Sequence, residues 1–304
     1  MDDIRLPEHD FRLDGRDYKL RCNFNVIADV VDACGGEMPN VFDKRTRLKV
    51  GREFLAAMLN DYADEQGWPE RYTAKQLGRK LGGQVAALMG PVMNFLLAFL
   101  LWTALIRCVD VQAVGPYGTK VGFAVFNLWF HHLTGVHMTI YTITDWLGLV
   151  PIAVCLGFGV VGVFQLIRRR RLFRVDPDIL LLGLYYILVV LGYLVFEMIP
   201  INYRPILING ALEASYPSST TLLVLSVMPT LVFQVDRRCE RKTVKRAVSI
   251  IVVLFSAFMV IGRAVSGVHW ATDIVGSVLL SFGLFKLYQS AVTTVDLRNK
   301  NGVQ

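Results

Sequence analysis

An arginine, a histidine and an aspartate follow one another at a fixed spacing near the C-terminal end of the sequence. Arg263, His269 and Asp273 stand at the start of an apolar run that ends near Tyr288. A guanidinium binds phosphate oxygens through two parallel hydrogen bonds, and an imidazole attacks phosphorus when a carboxylate holds its other nitrogen. This spacing therefore predicts phosphoryl-transfer chemistry at the edge of a membrane.

The composition and the charge distribution are those of an integral membrane protein. Hydrophobic residues make up 54% of the 304 residues, which is above the usual range of soluble enzymes. Residues 1–90 hold 14 Lys or Arg against 15 Asp or Glu, a net charge of −1, whereas residues 91–304 hold 18 against 10, a net charge of +8. Because that basic excess lies in short loops between apolar segments, it sets membrane topology, and we expect no nucleic-acid partner.

Six apolar segments predict a mostly α fold with six transmembrane helices. They cover residues 92–109, 147–167, 179–199, 220–235, 247–261 and 272–288. Arginine and lysine residues crowd the loops at 168–174 and 237–246, which the positive-inside rule assigns to the cytoplasm. Both termini would then be cytoplasmic, and the loops at 200–219 and 262–271 would lie outside a multi-pass protein of the cell membrane.

The predicted outer loop between the third and fourth helices supplies further groups that bind phosphate. Arg204 follows the third helix, and Ser218 and Ser219 open the fourth, where the N-terminal amides of a helix attract an anion. Together with Arg263 and His269, these residues would meet at one membrane depth. Each has a structural alternative, because serines also cap helices and arginines also extend to the membrane surface.

The motif order, spacing and topology resemble those of the type 2 phosphatidic acid phosphatase family over about residues 93–290. The third motif of the family is S-R-x-x-x-x-x-H-x-x-x-D. Arg263, His269 and Asp273 match it at the same spacing, and Gly262 stands in place of its serine.

The first two motifs of the family are altered in this sequence. The second motif is P-S-G-H, in which Ser218 matches the serine, whereas Ser219 and Thr220 replace the glycine and the histidine. The first motif is K-x-x-x-x-x-x-R-P, in which Arg204 matches the arginine and Glu197 replaces the lysine.

The resemblance implies a six-helix membrane phosphatase of phosphorylated lipids that needs no cofactor and no metal. It makes His269 the nucleophile that forms a phosphohistidine and Asp273 its orienting partner. The phosphate-binding residues implied by the same match are Arg204, Ser218, Ser219 and Arg263.

The general acid that the family places in the second motif is missing. A positioned acid accelerates such a step by about 10²–10⁴-fold. Thr220 and Glu197 are the candidate substitutes, and Glu213 and Tyr216 are further possibilities. The chain is then either a phosphatase that favours diphosphate lipids such as undecaprenyl diphosphate, whose leaving group needs little protonation, or a weak or inactive relative that binds lipid head groups or anchors its N-terminal domain.

Three histidines lie between the first two predicted membrane helices, in or next to an aromatic segment at 121–133. His131, His132 and His137 could assist catalysis or bind a metal ion, but the segment is too polar at its end to span a membrane. Its composition favours an interfacial element whose histidines are polar surface residues.

Residues 1–90 predict a small cytoplasmic α+β domain ahead of a membrane domain at 91–304. The pattern indicates a hairpin at 10–24 around Asp14-Gly15 and helices at 25–34, 51–65 and 73–81, with a boundary at 82–92. The pattern looks like that of the phage tail assembly chaperone family, which implies a protein-interaction or fused phage-type module of unknown partner. A helix-turn-helix starting at 73–82 is the alternative, but residues 84–94 are too apolar for a recognition helix.

Overall fold

The computed structural model describes residues 8–39 and 47–301. The chain divides into two compact units, which consist of residues 1–90 with 293–304 and of residues 91–292. Each unit has its own buried clusters of apolar side chains.

The first unit contains a β-hairpin and helices. Strands β1 and β2 pair antiparallel across a turn at Asp14-Gly15, and Asn23 caps the first helix by accepting a hydrogen bond of 2.9 Å from the amide of Val26. Its core is aromatic, with Tyr18 in edge-to-face contact with Trp68 at 5.3 Å between ring centroids. The elements are β1 (His9–Leu13), β2 (Arg16–Leu20), α1 (Phe24–Ala33), α2 (Arg47–Glu65) and α3 (Ala74–Cys108).

The predicted hairpin is confirmed, but the predicted break between a short helix at 73–81 and the first membrane helix is wrong. Helix α3 runs without interruption from Ala74 to Cys108 and contains Pro91. A proline removes one backbone hydrogen bond, and a helix in apolar surroundings keeps the remaining bonds because nothing else satisfies its backbone. No turn separates residues 73–82 from residues 84–94, so the helix-turn-helix alternative is excluded for this segment.

The prediction of six membrane helices is confirmed. Apolar side chains such as Ile251 and Leu254 are 64% and 65% exposed, as expected for helix faces that contact lipid. The candidate spans are Ala87–Cys108, Met138–Arg169, Pro177–Met198, Ser219–Arg238, Lys242–Val265 and Ala271–Asp296. The corresponding helices after α3 are α5 (Met138–Leu147), α6 (Leu149–Arg169), α7 (Pro177–Met198), α8 (Ser219–Arg238), α9 (Lys242–Val265) and α10 (Ala271–Asn301), and α4 (Ala124–Thr134) precedes them.

Helices α8 and α10 form the centre of the membrane unit. Half of the apolar window of α8 and 67% of that of α10 are buried, whereas only 6% of the window formed by α5 and α6 is buried. Tyr185 of α7 and Tyr288 of α10 stack at 5.2 Å, and the Tyr185 hydroxyl donates a 2.9 Å hydrogen bond to the carbonyl of Ser226 on α8. The N-terminal ends of the two central helices follow the loops at 199–218 and 266–270, where the sequence predicts the site.

Helix α5 differs most from the prediction. The sequence places the second membrane helix at 147–167, but that span starts at Met138 and consists of α5 and α6, which meet at Gly148. Residues 138–146 are more polar than the segment that follows, so apolar periodicity alone does not assign them to the span. This additional helix brings side chains to the site that the sequence did not indicate.

Candidate active site

His269 lies in a short loop between α9 and α10 that is fixed by hydrogen bonds from the α4 region. The carbonyl of Ser266 accepts a 3.0 Å hydrogen bond from the amide of His137, and a ring nitrogen of His131 lies 3.1 Å from the carbonyl oxygen of Gly267. Gly267 has φ of +71°, a conformation that favours glycine. Two of the three interfacial histidines therefore support the loop of His269.

The imidazole of His269 is buried and unpaired. Its exposure is 3%, and neither ring nitrogen has a hydrogen-bond partner in the described part of the chain. The Asp273 carboxylate lies 3.9 Å from Nδ1 and instead accepts hydrogen bonds from the amide of Trp270 at 2.9 Å and from Asn202 at 3.3 Å. Burial, opposed in part by Asp273, lowers the pKa of His269 to about 4. The ring is then neutral near pH 7, as a nucleophile requires.

Arg263 is the most deeply buried cation of the site, with 2% exposure. Its Nη2 donates a 2.9 Å hydrogen bond to Asp145 Oδ1 of α5 and a second hydrogen bond to Thr220 Oγ1 of α8. Its guanidinium carbon lies 4.8 Å from the ring centroid of Tyr141, also on α5. Nε and Nη1 of Arg263 have no hydrogen-bond partner among residues 8–39 and 47–301.

Arg204 approaches the same aromatic ring from the loop between α7 and α8. Isolated β-bridges within that loop, including Tyr203 with Ala214, hold its backbone in place. Arg204 Nε lies 3.0 Å from a carboxylate oxygen of Glu213 as an ion pair, and its guanidinium carbon lies 5.8 Å from the Tyr141 ring centroid. Arg204 Nη1 is buried and has no hydrogen-bond partner within the described residues.

A polar cavity of about 230 Å³ connects several of these groups. Its wall includes Arg204 and His269 together with the carboxylate residues Glu197 and Glu213 and the hydroxyl residue Ser219. The structure thus brings the predicted nucleophile to the same cavity as one predicted arginine and the residue that replaces the lysine of the first motif.

The two predicted serines lie in different environments. Ser218 is fully buried, is the N-cap of α8 and donates its hydroxyl to Thr221 Oγ1 at 3.1 Å, so it lies behind the cavity. Ser219 lies on the cavity wall. Ser219 is also the first residue of α8, and the first amides of a helix, which lack intrahelical partners, can bind an anion.

The predicted substitute acids are not equivalent in the structure. The hydroxyl of Thr220 contacts Arg263, and the Tyr216 hydroxyl lies 2.6 Å from Thr103 Oγ1, with burial raising the pKa of this tyrosine. Glu197 and Glu213 remain as the two carboxylates on the cavity wall. In residues 8–39 and 47–301, no three His, Cys, Asp or Glu side chains are grouped as metal ligands would be.

Sequence reasoning missed Tyr141, Asp145 and Asn202. Tyr141 and Asp145 are four residues apart and so share one face of α5, which is a detectable signal once this segment is assigned to a helix. Asn202 lies only two residues before Arg204, but its contact with Asp273 joins distant parts of the chain. The complete arrangement offers a neutral imidazole, two guanidinium groups with free nitrogens and nearby carboxylates, which is sufficient for phosphoryl transfer.

Two comparisons with known proteins find a similarity. A crystal structure of the first transmembrane PAP2 type phosphatidylglycerolphosphate phosphatase from Bacillus subtilis is similar at 21% sequence identity and a TM-score of 0.45, over 67% of this chain and 97% of that chain. A comparison with curated protein sequences finds no match. The sequence model of the PAP2 superfamily matches residues 180–295, which contain Arg204, Arg263, His269 and Asp273. The predicted resemblance to the type 2 phosphatidic acid phosphatases is therefore confirmed for residues 180–295.

Proposed function

We propose that this protein is an integral membrane phosphatase that hydrolyses lipid phosphates through a phosphohistidine on His269. The observation that carries the proposal is the set of buried nitrogen atoms on Arg204, Arg263 and His269 that have no hydrogen-bond partner within the described residues. Buried donors are almost always paired, so unpaired ones at one place indicate a ligand with several acceptor oxygens. A phosphate group has this character.

The proposed reaction starts with attack of His269 Nε2 on phosphorus. Asp273 lies on the Nδ1 side of the ring and stabilises the positive charge that develops there. The free Nη1 atoms of Arg204 and Arg263 bind phosphoryl oxygens, and Ser219 and the first amides of α8 add further donors. The phosphorus–oxygen bond to the leaving group breaks, and its electron pair stays on the leaving oxygen.

We further propose that diphosphate lipids are the preferred substrates. Thr220 stands where the second motif has its histidine, and its hydroxyl is engaged with Arg263. A threonine hydroxyl is a poor proton donor, so an alkoxide would leave slowly. A lipid phosphate leaves with its charge already delocalised and needs little protonation. The preference is one of turnover rate and not of binding affinity. Glu197 and Glu213 add negative charge to the cavity and so oppose binding of monophosphates and diphosphates alike.

A lipid head-group-binding protein without activity is the second candidate. Each predicted phosphate-binding arginine already has a carboxylate partner, Arg263 with Asp145 at 2.9 Å and Arg204 with Glu213 at 3.0 Å. These carboxylates compete with phosphate for the guanidinium groups. They leave free nitrogens on both arginines, which is why we favour the enzyme.

Trapping of the phosphoenzyme tests the proposal directly. Purified protein in detergent, mixed with a lipid diphosphate labelled at the terminal phosphate and quenched in alkali, should carry acid-labile, base-stable label. The matched control is His132→Ala, an exposed histidine of α4, which should be labelled like the wild type. Absence of label and of released phosphate in the wild type would support the inactive candidate.

We also propose that the site faces away from the cytoplasm, on the basis of the basic loops at 168–174 and 237–246. In a cysteine-free background, Leu172→Cys and Glu240→Cys should be protected from an impermeant thiol reagent in intact cells, whereas Ala211→Cys should react. The reverse pattern would place the site on the cytoplasmic face.

A further inference from the structure

We propose that Asp145 is the general base that activates water for hydrolysis of the phosphohistidine on His269. This inference depends on the proposed function, because it assigns the second half of that reaction. The wild-type sequence lacks the histidine of the second motif, so the group that accepts the proton of the attacking water has to be another residue.

Asp145 lies beside the place where a phosphoryl group would bind. Its Oδ1 and the hydroxyl of Thr220 share the Nη2 nitrogen of Arg263, and Nε and Nη1 of the same guanidinium are free. A phosphoryl oxygen bound to the free Nη1 would lie beside Nη2, the nitrogen that donates to the Asp145 carboxylate. By the family resemblance, Thr220 stands at the position of the acid that protonates the leaving group. Water attacks a phosphohistidine in line with the breaking bond, and so from the side that the leaving group has left.

Protein atoms do not enclose the carboxylate of Asp145. Its side chain is 60% exposed, and it lines an apolar cavity of about 280 Å³ together with Ser219 and Thr220. Ser219 also lies on the wall of the polar cavity that contains His269. Asp145 is the eighth residue of α5, so it lies roughly 10 Å along the helix axis from Met138 at 1.5 Å per residue. At such a depth in a membrane span, an ionised carboxylate requires water or a cation.

The other carboxylates of the site suit this role less well. Asp273 is fully buried on the Nδ1 side of His269 and accepts hydrogen bonds from Trp270 and Asn202. Glu213 pairs with Nε of Arg204, and no contact joins it to Thr220 or Arg263 among the described residues. Of the site carboxylates, Asp145 contacts the same guanidinium nitrogen as Thr220.

The step balances in atoms and charge. The water oxygen forms a bond to phosphorus while one of its protons passes to a carboxylate oxygen of Asp145. The phosphorus–nitrogen bond breaks, and its electron pair returns to Nε2, which leaves a neutral imidazole and hydrogen phosphate. Asp145 then releases its proton to water.

Rapid-quench kinetics with the full-length protein and the labelled lipid diphosphate separate this role from a structural one. In Asp145→Asn, phosphoenzyme should form within about 3-fold of the wild-type rate, whereas its hydrolysis should slow by about 10²-fold, the effect expected from losing a general base. Labelled protein should accumulate in the steady state. Asp145→Glu should restore part of the hydrolysis rate, and hydroxylamine, a stronger nucleophile than water, should discharge the label from Asp145→Asn.

Three outcomes would overturn the assignment. Equal slowing of formation and hydrolysis in Asp145→Asn would mean that the residue only positions Arg263. Hydrolysis of the phosphoenzyme at the wild-type rate in Asp145→Asn would exclude any role of Asp145 in that step. Accumulation of labelled protein in Glu213→Gln, and not in Asp145→Asn, would identify Glu213 as the general base. A wild-type protein that releases phosphate without a phosphoenzyme would refute the proposed function itself, which is a different result from any of these.

Discussion

The two halves of the candidate site differ in how closely they match the family motifs. The nucleophile half consists of Arg263, His269 and Asp273 at the junction of α9 and α10, and all three residues match the third family motif. The leaving-group half consists of Glu197 and the start of α8 at Ser219 and Thr220, where the motif residues are replaced. In the proposed reaction, capture of a phosphoryl group depends on the first half, whereas assistance to the leaving group depends on the second. The proposal therefore predicts that this chain keeps the first function and has a weaker form of the second.

Removal of the nucleophile should have the largest effect. His269→Ala should abolish both turnover and the phosphoenzyme, because no other described side chain offers an unpaired imidazole at the cavity. Asp273→Asn should keep the site folded and slow turnover by up to about 10⁴-fold through loss of the charge beside Nδ1. Both variants are measured by phosphate release and label trapping. Retained activity in His269→Ala would contradict the assignment of the nucleophile half.

Restoring the second motif should reduce the difference in turnover rate between lipid monophosphates and lipid diphosphates. Ser219→Gly with Thr220→His should raise turnover of a lipid monophosphate by up to about 10²-fold and change diphosphate turnover by less than about 3-fold, since only the poor leaving group needs an acid. The control Thr220→Val removes the hydroxyl contact to Arg263 without adding an acid. If the wild type cleaves mono- and diphosphate equally fast, an acid is already present and Glu197 and Glu213 are the residues to test.

Charge reversal at Glu197 should act on binding. Glu197→Lys should lower KM for both substrates by about 10-fold, or ~1.4 kcal/mol, because it replaces a repulsive carboxylate on the cavity wall with a cation. Glu197→Gln, which only removes the negative charge, should give part of the decrease. An increase in KM for Glu197→Lys would mean that the carboxylate contributes to substrate binding.

The last effect concerns the pH dependence of stability and not turnover. Burial lowers the pKa of His269 to about 4, whereas an unfolded histidine titrates near 6.5, so below that pH the unfolded chain binds a proton that the native chain does not. This term should reduce the stability of the protein as pH falls from about 6.5 to about 4, by up to about 3 kcal/mol in total. Thermal unfolding in detergent should show a shallower decrease over that range in His269→Asn than in the wild type.

Sequence spacing was sufficient to predict that His269 and Asp273 lie close together. The residues of the nucleophile half are close together in the chain, and Arg204 follows a predicted membrane helix, so periodicity and the positive-inside rule put them on one side. The contribution of α5 was not predictable in the same way, because Tyr141 and Asp145 reach the arginines only through packing of α5 in the folded membrane unit. Which of Ser218 and Ser219 faces the cavity depends on the rotation of the first turn of α8. The resemblance of residues 1–90 to the phage tail assembly chaperone family stays a prediction, and so does the protein-interaction role that it implies.

Gly262, which stands where the third motif has its serine, has a consequence for the position of Asp145. A Cβ atom on Gly262 would lie 2.7 Å from Thr144 Cγ2, so a serine there would push α5 away from α9. Thr144 directly precedes Asp145, and the same displacement would take the carboxylate away from Arg263. Positions 262 and 145 should therefore covary among homologues, with an acidic residue at 145 appearing only in lineages that have lost the side chain at 262.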